Sequence, residues 1–161
     1  AGIFVVFNGL YFLNVLPPVP LSLREIGIYH SVVKTNVGNY EVLYEKPKWH
    51  QFFRDTNATF TLPASKTAYC FSSVFAPTRL TTGIYHVWEF YNPTEGGWQL
   101  QSRTPFAITG GRDEGYRGYS QKSVSPGRWR CSVETERGAL IGQSTFTVEG
   151  GTKISLTKRE L

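Results

Sequence analysis

An all-β sandwich behind an apolar leading segment is the fold class this sequence predicts, and three observations predict it. Short runs rich in Val, Ile, Tyr, Phe and Trp alternate apolar with polar residues, and turn signals separate them every roughly 8–12 residues. Gly (16), Pro (9) and aromatic side chains (15%) are dense while long Ala/Glu/Leu/Lys tracts are missing, which favours strands over helices. Residues 1–23 carry no charged side chain, and from Arg24 onward the texture changes. At 161 residues there is room for one domain with a real core and a short appendage.

Ala1–Leu16 is apolar apart from Asn8 and Asn14, and Pro17-Pro18-Val19-Pro20 stops it. As a helix this stretch rises about 24 Å, a little short of the roughly 20 residues that cross a bilayer. The expectation is a truncated transmembrane helix over 1–23, with Tyr11 and the prolines near the interface. The alternative is a buried element of the globular body. Methionine is absent, including at position 1, which is expected of a piece of a longer chain whose missing part lies upstream.

Residues 24–64 read as a strand hairpin and connector. Ile26–Lys34 and Asn39–Glu45 are strands joined near Asn36-Val37-Gly38, and in the second Tyr40, Val42 and Tyr44 make an apolar face. Lys46–Asp55 is aromatic-rich and irregular: a loop at a membrane surface, or an edge of the sandwich. Asn57–Lys66 is a polar connector. The sandwich proper spans 65–149, with strands at Thr67–Phe75, Ile84–Tyr91, Trp98–Arg103, Arg128–Thr135 and Leu140–Glu149. A solvated polar tail, 150–161, follows.

Alternation along Arg128–Thr135 puts Trp129, Cys131 and Val133 on one face and Arg128, Arg130 and Glu134 on the other. Cys70 lies mid-strand, and Trp88 falls on a strand between the two cysteines. This order resembles the immunoglobulin-type core, in which a bridge joins facing sheets against a tryptophan. A Cys70–Cys131 bridge would close a loop of about 60 residues and stabilise by about 4 kcal/mol. A pair of buried thiols is the alternative. A bridge implies an oxidising compartment.

Composition excludes several classes. Net charge is +5, but Lys and Arg are scattered and no nucleic-acid motif accompanies them, so no nucleic-acid partner is expected. His30, His50 and His86 lie far apart with no metal-ligand spacing, and neither a G-x-S-x-G elbow nor a phosphate loop occurs. No enzyme activity, cofactor or metal is therefore expected. A hydrolase built on His50, Asp55 or Asp113 is the residual catalytic reading. The candidate binding stretch is Gly110–Ser120, where Arg112, Asp113, Tyr116, Arg117 and Tyr119 stand among four glycines. Arginine forks and tyrosine faces suit carboxylate-bearing or glycan ligands, and glycines allow close approach. The competing reading is an inter-strand connection whose arginines pair internally and whose tyrosines cover the sandwich edge.

Tyr69-Cys70-Phe71, Phe75-Ala76-Pro77-Thr78, Ile84-Tyr85-His86-Val87-Trp88 and Pro105-Phe106 form one series of motifs. Gly110-Gly111-Arg112-Asp113, Gly115-Tyr116-Arg117-Gly118-Tyr119, Pro126-Gly127-Arg128-Trp129-Arg130 and Val133-Glu134-Thr135 continue it. Together they resemble a bacterial family known as domain of unknown function 2914, a C-terminal module of envelope proteins usually placed after membrane helices. The resemblance covers about residues 65–149, and Pro17–Glu45 looks like the segment leading from the helices. It implies a membrane-tethered domain at the bacterial inner membrane, facing the periplasm or cell exterior, and no established activity. Cys131 is not among the residues it implies. The resulting expectation is a non-catalytic envelope module binding a glycan or envelope polymer. The alternative is a scaffold or sensor acting through protein contacts.

Overall fold

A computed structural model describes residues 21–45, 58–76, 82–105, 115–151 and 155–161, and the backbone of 109–111. Every regular element among them is a strand. In chain order these are β1 (Ser22–Tyr29), β2 (Ser31–Lys34), β3 (Tyr40–Glu45), β4 (Ala58–Thr61), β5 (Thr67–Phe75) and β6 (Ile84–Asn92). They continue with β7 (Gly97–Pro105), β8 (Thr109–Gly111), β9 (Gly115–Ser123), β10 (Gly127–Thr135), β11 (Leu140–Glu149) and β12 (Leu156–Glu160). Three sheets result, ordered β1-β5-β9-β8, β4-β11-β10-β6-β7 and β12-β3-β2. All pairings are antiparallel except β11 with β4.

The first two sheets face each other across the main core. Alternation sends Cys70 and Ala68 of β5 to meet Trp129 and Cys131 of β10, Trp88 of β6 and Phe146 and Val148 of β11. Val74, Ile84 and Val133 extend that interface at one end. Burying such side chains contributes roughly 1.5–3 kcal/mol each. The third sheet adds a layer. Phe71, on the opposite face of β5 from Cys70, packs with Tyr29, Val32, Tyr40 and Val42, so β5 is covered on both sides.

Several expectations are corrected by this arrangement of strands. Ile26–Lys34 is not one strand: it breaks at His30, where β1 of the first sheet hands over to β2 of the third, and the His30 amide bonds to the Leu43 carbonyl at 2.8 Å. The connector Asn57–Lys66 contains β4, which pairs along β11. The tail 150–161 is not simply solvated. Its alternating Leu156–Glu160 forms β12 on β3, with Lys158 paired to Glu41 at 2.6 Å. Glu45 then clasps the layers: it meets His30 Nε2 at 2.6 Å and accepts from the Thr61 amide at 2.7 Å and hydroxyl at 2.9 Å. The expected helix at Ala1–Leu16 and the stretch Lys46–Asp55, with His50 and Asp55, lie outside the described residues. No helix among the described residues is long and apolar enough to cross a membrane.

Candidate functional site

Of the stretch Gly110–Ser120, the described residues lie on strands: Gly110 and Gly111 on β8, and Gly115 to Ser120 on β9. Gly115 turns the chain with φ at 77°, and a Cβ there would stand 3.0 Å from Ser73 Oγ and 3.1 Å from the Val74 carbonyl, so only glycine fits. Arg112 and Asp113 fall outside the described residues. Tyr116, Arg117 and Tyr119 lie on β9, opposite Val74, Ser73 and Phe71 of β5. Arg117 and Tyr119 point to the third sheet. The Arg117 guanidinium sits 5.7 Å from the Tyr40 ring centroid and donates to the Leu161 carbonyl at 3.2 Å. Tyr119 meets Tyr40 edge-on at 6.1 Å and Tyr69 at 6.2 Å. These two side chains thus stitch layers together.

A different set of arginines and aromatics gathers on the outer face of the five-stranded sheet. Tyr91 and Trp98 are cross-strand partners beside the 93–96 turn, with ring centroids 5.4 Å apart. Arg130, on the neighbouring strand, rests 4.3 Å from the Trp98 ring centroid and is held at 2.6 Å by Glu89. Arg128 lies 5.4 Å from Tyr91 and 5.6 Å from Trp98. It is exposed, and among the described residues no carboxylate pairs with it. Leu100 stands out of the same face, 63% exposed. Further along, Arg103 lies 3.9 Å from the Tyr85 ring centroid and donates to the carbonyls of Thr135 and Glu136 at 3.0 and 2.9 Å. An aromatic shelf with an open guanidinium at its rim can stack an apolar ring face and fork a carboxylate at once.

Alternation alone had already turned Arg128 and Arg130 outward. What it could not supply was the neighbour set, because Tyr91, Trp98 and Arg128 come from three strands. Gly127 shapes the approach of β10 to this face: its φ is 134°, and a Cβ would lie 2.6 Å from the Phe90 ring.

Inside the sheet pair a polar cluster surrounds the cross-link. Cys70 and Cys131 form a disulfide with Cα atoms 6.6 Å apart, and both are fully buried. His86, also fully buried, lies between two serines: Nε2 is 2.8 Å from Ser72 Oγ and Nδ1 is 2.8 Å from Ser120 Oγ. Trp88 Nε1 donates to Ser120 Oγ at 2.9 Å. Both ring nitrogens of His86 are thus within hydrogen-bond distance of a serine hydroxyl, and a neutral ring donates to one of them and accepts from the other. Burial lowers the His86 pKa to about 3, so the ring is neutral at pH 7. A histidine between serines has the atoms of a nucleophilic pair, but this one has no surface through which a substrate could reach it. Nothing local in Ile84–Asn92 marks the two serines that meet His86, because they come from β5 and β9.

Residues 81–148 match the family described as protein of unknown function (DUF2914). These residues belong to the DUF2914 family. The matched segment holds β6 to β10 and most of β11, and so contains Tyr91, Trp98, Arg128 and Arg130 together with His86, Trp88, Ser120 and Cys131. It leaves out β5, which supplies Cys70 and Ser72. No curated protein matches the chain. Among solved structures, the Pseudomonas fluorescens alkylpurine DNA glycosylase AlkC bound to DNA containing an abasic site analog is similar at 11% identity with a TM-score of 0.47. That likeness covers 88% of this chain and 33% of the other, so the chain spans about a third of the glycosylase's length; it carries nothing about activity.

Proposed function

We propose that this DUF2914 domain is a non-catalytic recognition module for an acidic glycan of the bacterial envelope, read by the outer face of the five-stranded sheet. The observation that carries this reading is Arg128, an open guanidinium beside the paired rings of Tyr91 and Trp98. The shelf would take the apolar face of a sugar ring, Arg128 its carboxylate, and the Arg130–Glu89 pair its hydroxyls. In this reading the sandwich is immunoglobulin-like, with Cys70 on β5, Trp88 on β6 and Cys131 on β10. The apolar Ala1–Leu16 stretch tethers it to the inner membrane, and the domain faces the periplasm or cell exterior.

The test is retention of the purified domain on peptidoglycan and on a uronic-acid polymer, against a neutral glucan. Trp98→Ala and Arg128→Ala are each expected to weaken binding about tenfold, near 1.4 kcal/mol, without moving the melting curve. A double Arg112→Ala, Tyr116→Ala variant tests the Gly110–Ser120 stretch in parallel. Retention unchanged in all three variants would remove the glycan reading. Exposed Leu100 on the same face favours a second reading, a scaffold that docks a protein partner there. Capture of a defined envelope protein that Leu100→Asp abolishes and Trp98→Ala spares would support it.

A further inference from the structure

The polar cluster at the cross-link has more donors than a structural disulfide requires. The ligand-type atoms of Cys70, Cys131 and His86 all lie within 4.8 Å of one another, and all three residues are fully buried. We propose that the reduced chain binds one zinc-type cation through Cys70 Sγ, Cys131 Sγ and one ring nitrogen of His86, so that disulfide and metal site are alternative closures of the same core.

Tetrahedral zinc sets the geometry that must be reached. With Zn–S near 2.3 Å and Zn–N near 2.0 Å, the donor atoms sit about 3.6–3.8 Å apart. Starting from donors within 4.8 Å, the nitrogen closes on the sulfurs by about 1 Å at most, and the sulfurs separate once their bond is cut. The two backbones, 6.6 Å apart at Cα, hold the cysteines on facing strands throughout. Each ring nitrogen of His86 already meets a serine. Whichever nitrogen turns to the metal, its serine hydroxyl is left beside the cation as a fourth oxygen donor. The other serine keeps the opposite nitrogen bonded and fixes the ring, the arrangement that orients metal-bound histidines generally. Neutral imidazole is the form a metal needs.

The chemistry balances with a dithiol as reductant. Two electrons and two protons pass from the dithiol to the Cys70–Cys131 bond, giving two thiols and an oxidised dithiol. The cation then displaces two thiol protons to solvent and leaves two thiolates bound. Because the cluster is sealed, loading takes place on the reduced chain as it closes, and competes there with oxidation.

The experiment titrates the anaerobically reduced protein with Co2+ as a coloured stand-in for Zn2+. The expected result is thiolate-to-cobalt charge transfer with intense tetrahedral d–d bands, saturating at an equimolar ratio and bleached by Zn2+; the oxidised protein shows none. Cys131→Ser should abolish the bands. His86→Gln, whose amide can still reach both serines, should weaken binding by tenfold or more. Where reduction alone loosens the fold, the cation is expected to restore the strand circular dichroism. A reduced chain that stays folded without equimolar bands overturns the proposal, as does one that metal fails to refold, or one whose affinity His86→Gln leaves unchanged. An independent readout is bridge formation by oxidised glutathione, which Zn2+ should slow at least tenfold; an unaltered rate also overturns it.

Discussion

Replacing both Cys70 and Cys131 by alanine removes the covalent link between β5 and β10, and its effect follows from chain length and packing. The two positions are 61 residues apart. Opening a loop of that size returns about 4 kcal/mol of conformational freedom to the unfolded state. Two buried sulfurs are also lost in the core that holds Trp88 and Phe146, both fully buried, where close packing leaves little room to collapse inward. That cavity adds about 1–2 kcal/mol. For a chain of this length 1 kcal/mol moves the melting temperature by about 2–4 °C, so the double variant should melt about 10–20 °C below the oxidised protein. Differential scanning calorimetry of both proteins, without reductant, measures this directly. A fall under about 4 °C would refute the reasoning, since it would mean that the unfolded ensemble gains nothing when the bridge goes.

Two further outcomes follow from the same region. His86 has a folded-state pKa of about 3 against 6.5 unfolded, so the unfolded chain takes up the proton first, and stability is lost as pH falls from 6.5 toward 3. From pH 7 to pH 5 the wild type should lose about 2 kcal/mol through this group; urea unfolding at the two pH values should show a smaller loss in His86→Gln, and equal losses would contradict the assignment. Gly127→Ala combines a φ of 134° with a Cβ 2.6 Å from the Phe90 ring. It should cost about 1–3 kcal/mol and weaken glycan retention by displacing Arg128, and a urea midpoint within error of wild type would deny the constraint.

The strands that pair within the main core were legible in the sequence because burial there has a period of two. Thr67–Phe75 and Leu140–Glu149 keep their expected bounds, and Trp129, Cys131 and Val133 face inward as alternation requires. The third layer was not legible. Phe71 sits one residue from Cys70, so Tyr69–Phe71 reads as a short apolar run, and with Ser72 and Ser73 before Val74 the strand shows no strict alternation to tell whether it is covered on one side or two. Leu156–Glu160 looked like a solvated end because four of its residues stay exposed even when β12 is paired; backbone bonds to β3 leave no mark on side-chain type. In Asn57–Lys66 only Phe60 of the four β4 residues is buried, too short a pattern to mark a strand.

The candidate site shows the same division between what a strand records and what only neighbours create. Arg117 and Tyr119 were chosen because arginine and tyrosine between glycines suit a ligand, yet the third layer that Phe71 recruits occupies them with Tyr40 and Leu161. Arg128 and Arg130 have the same chemistry on a face that no layer of the described residues covers, and there the aromatic neighbours, Tyr91 and Trp98, come from across the sheet. A sheet covered on both faces spends its side chains on cohesion. Among the described residues the five-stranded sheet is covered on one face only, and on its other face the Arg128 guanidinium has no carboxylate partner and stands beside two rings, so a ligand meets β10 and its neighbours more readily than the glycine-rich strand.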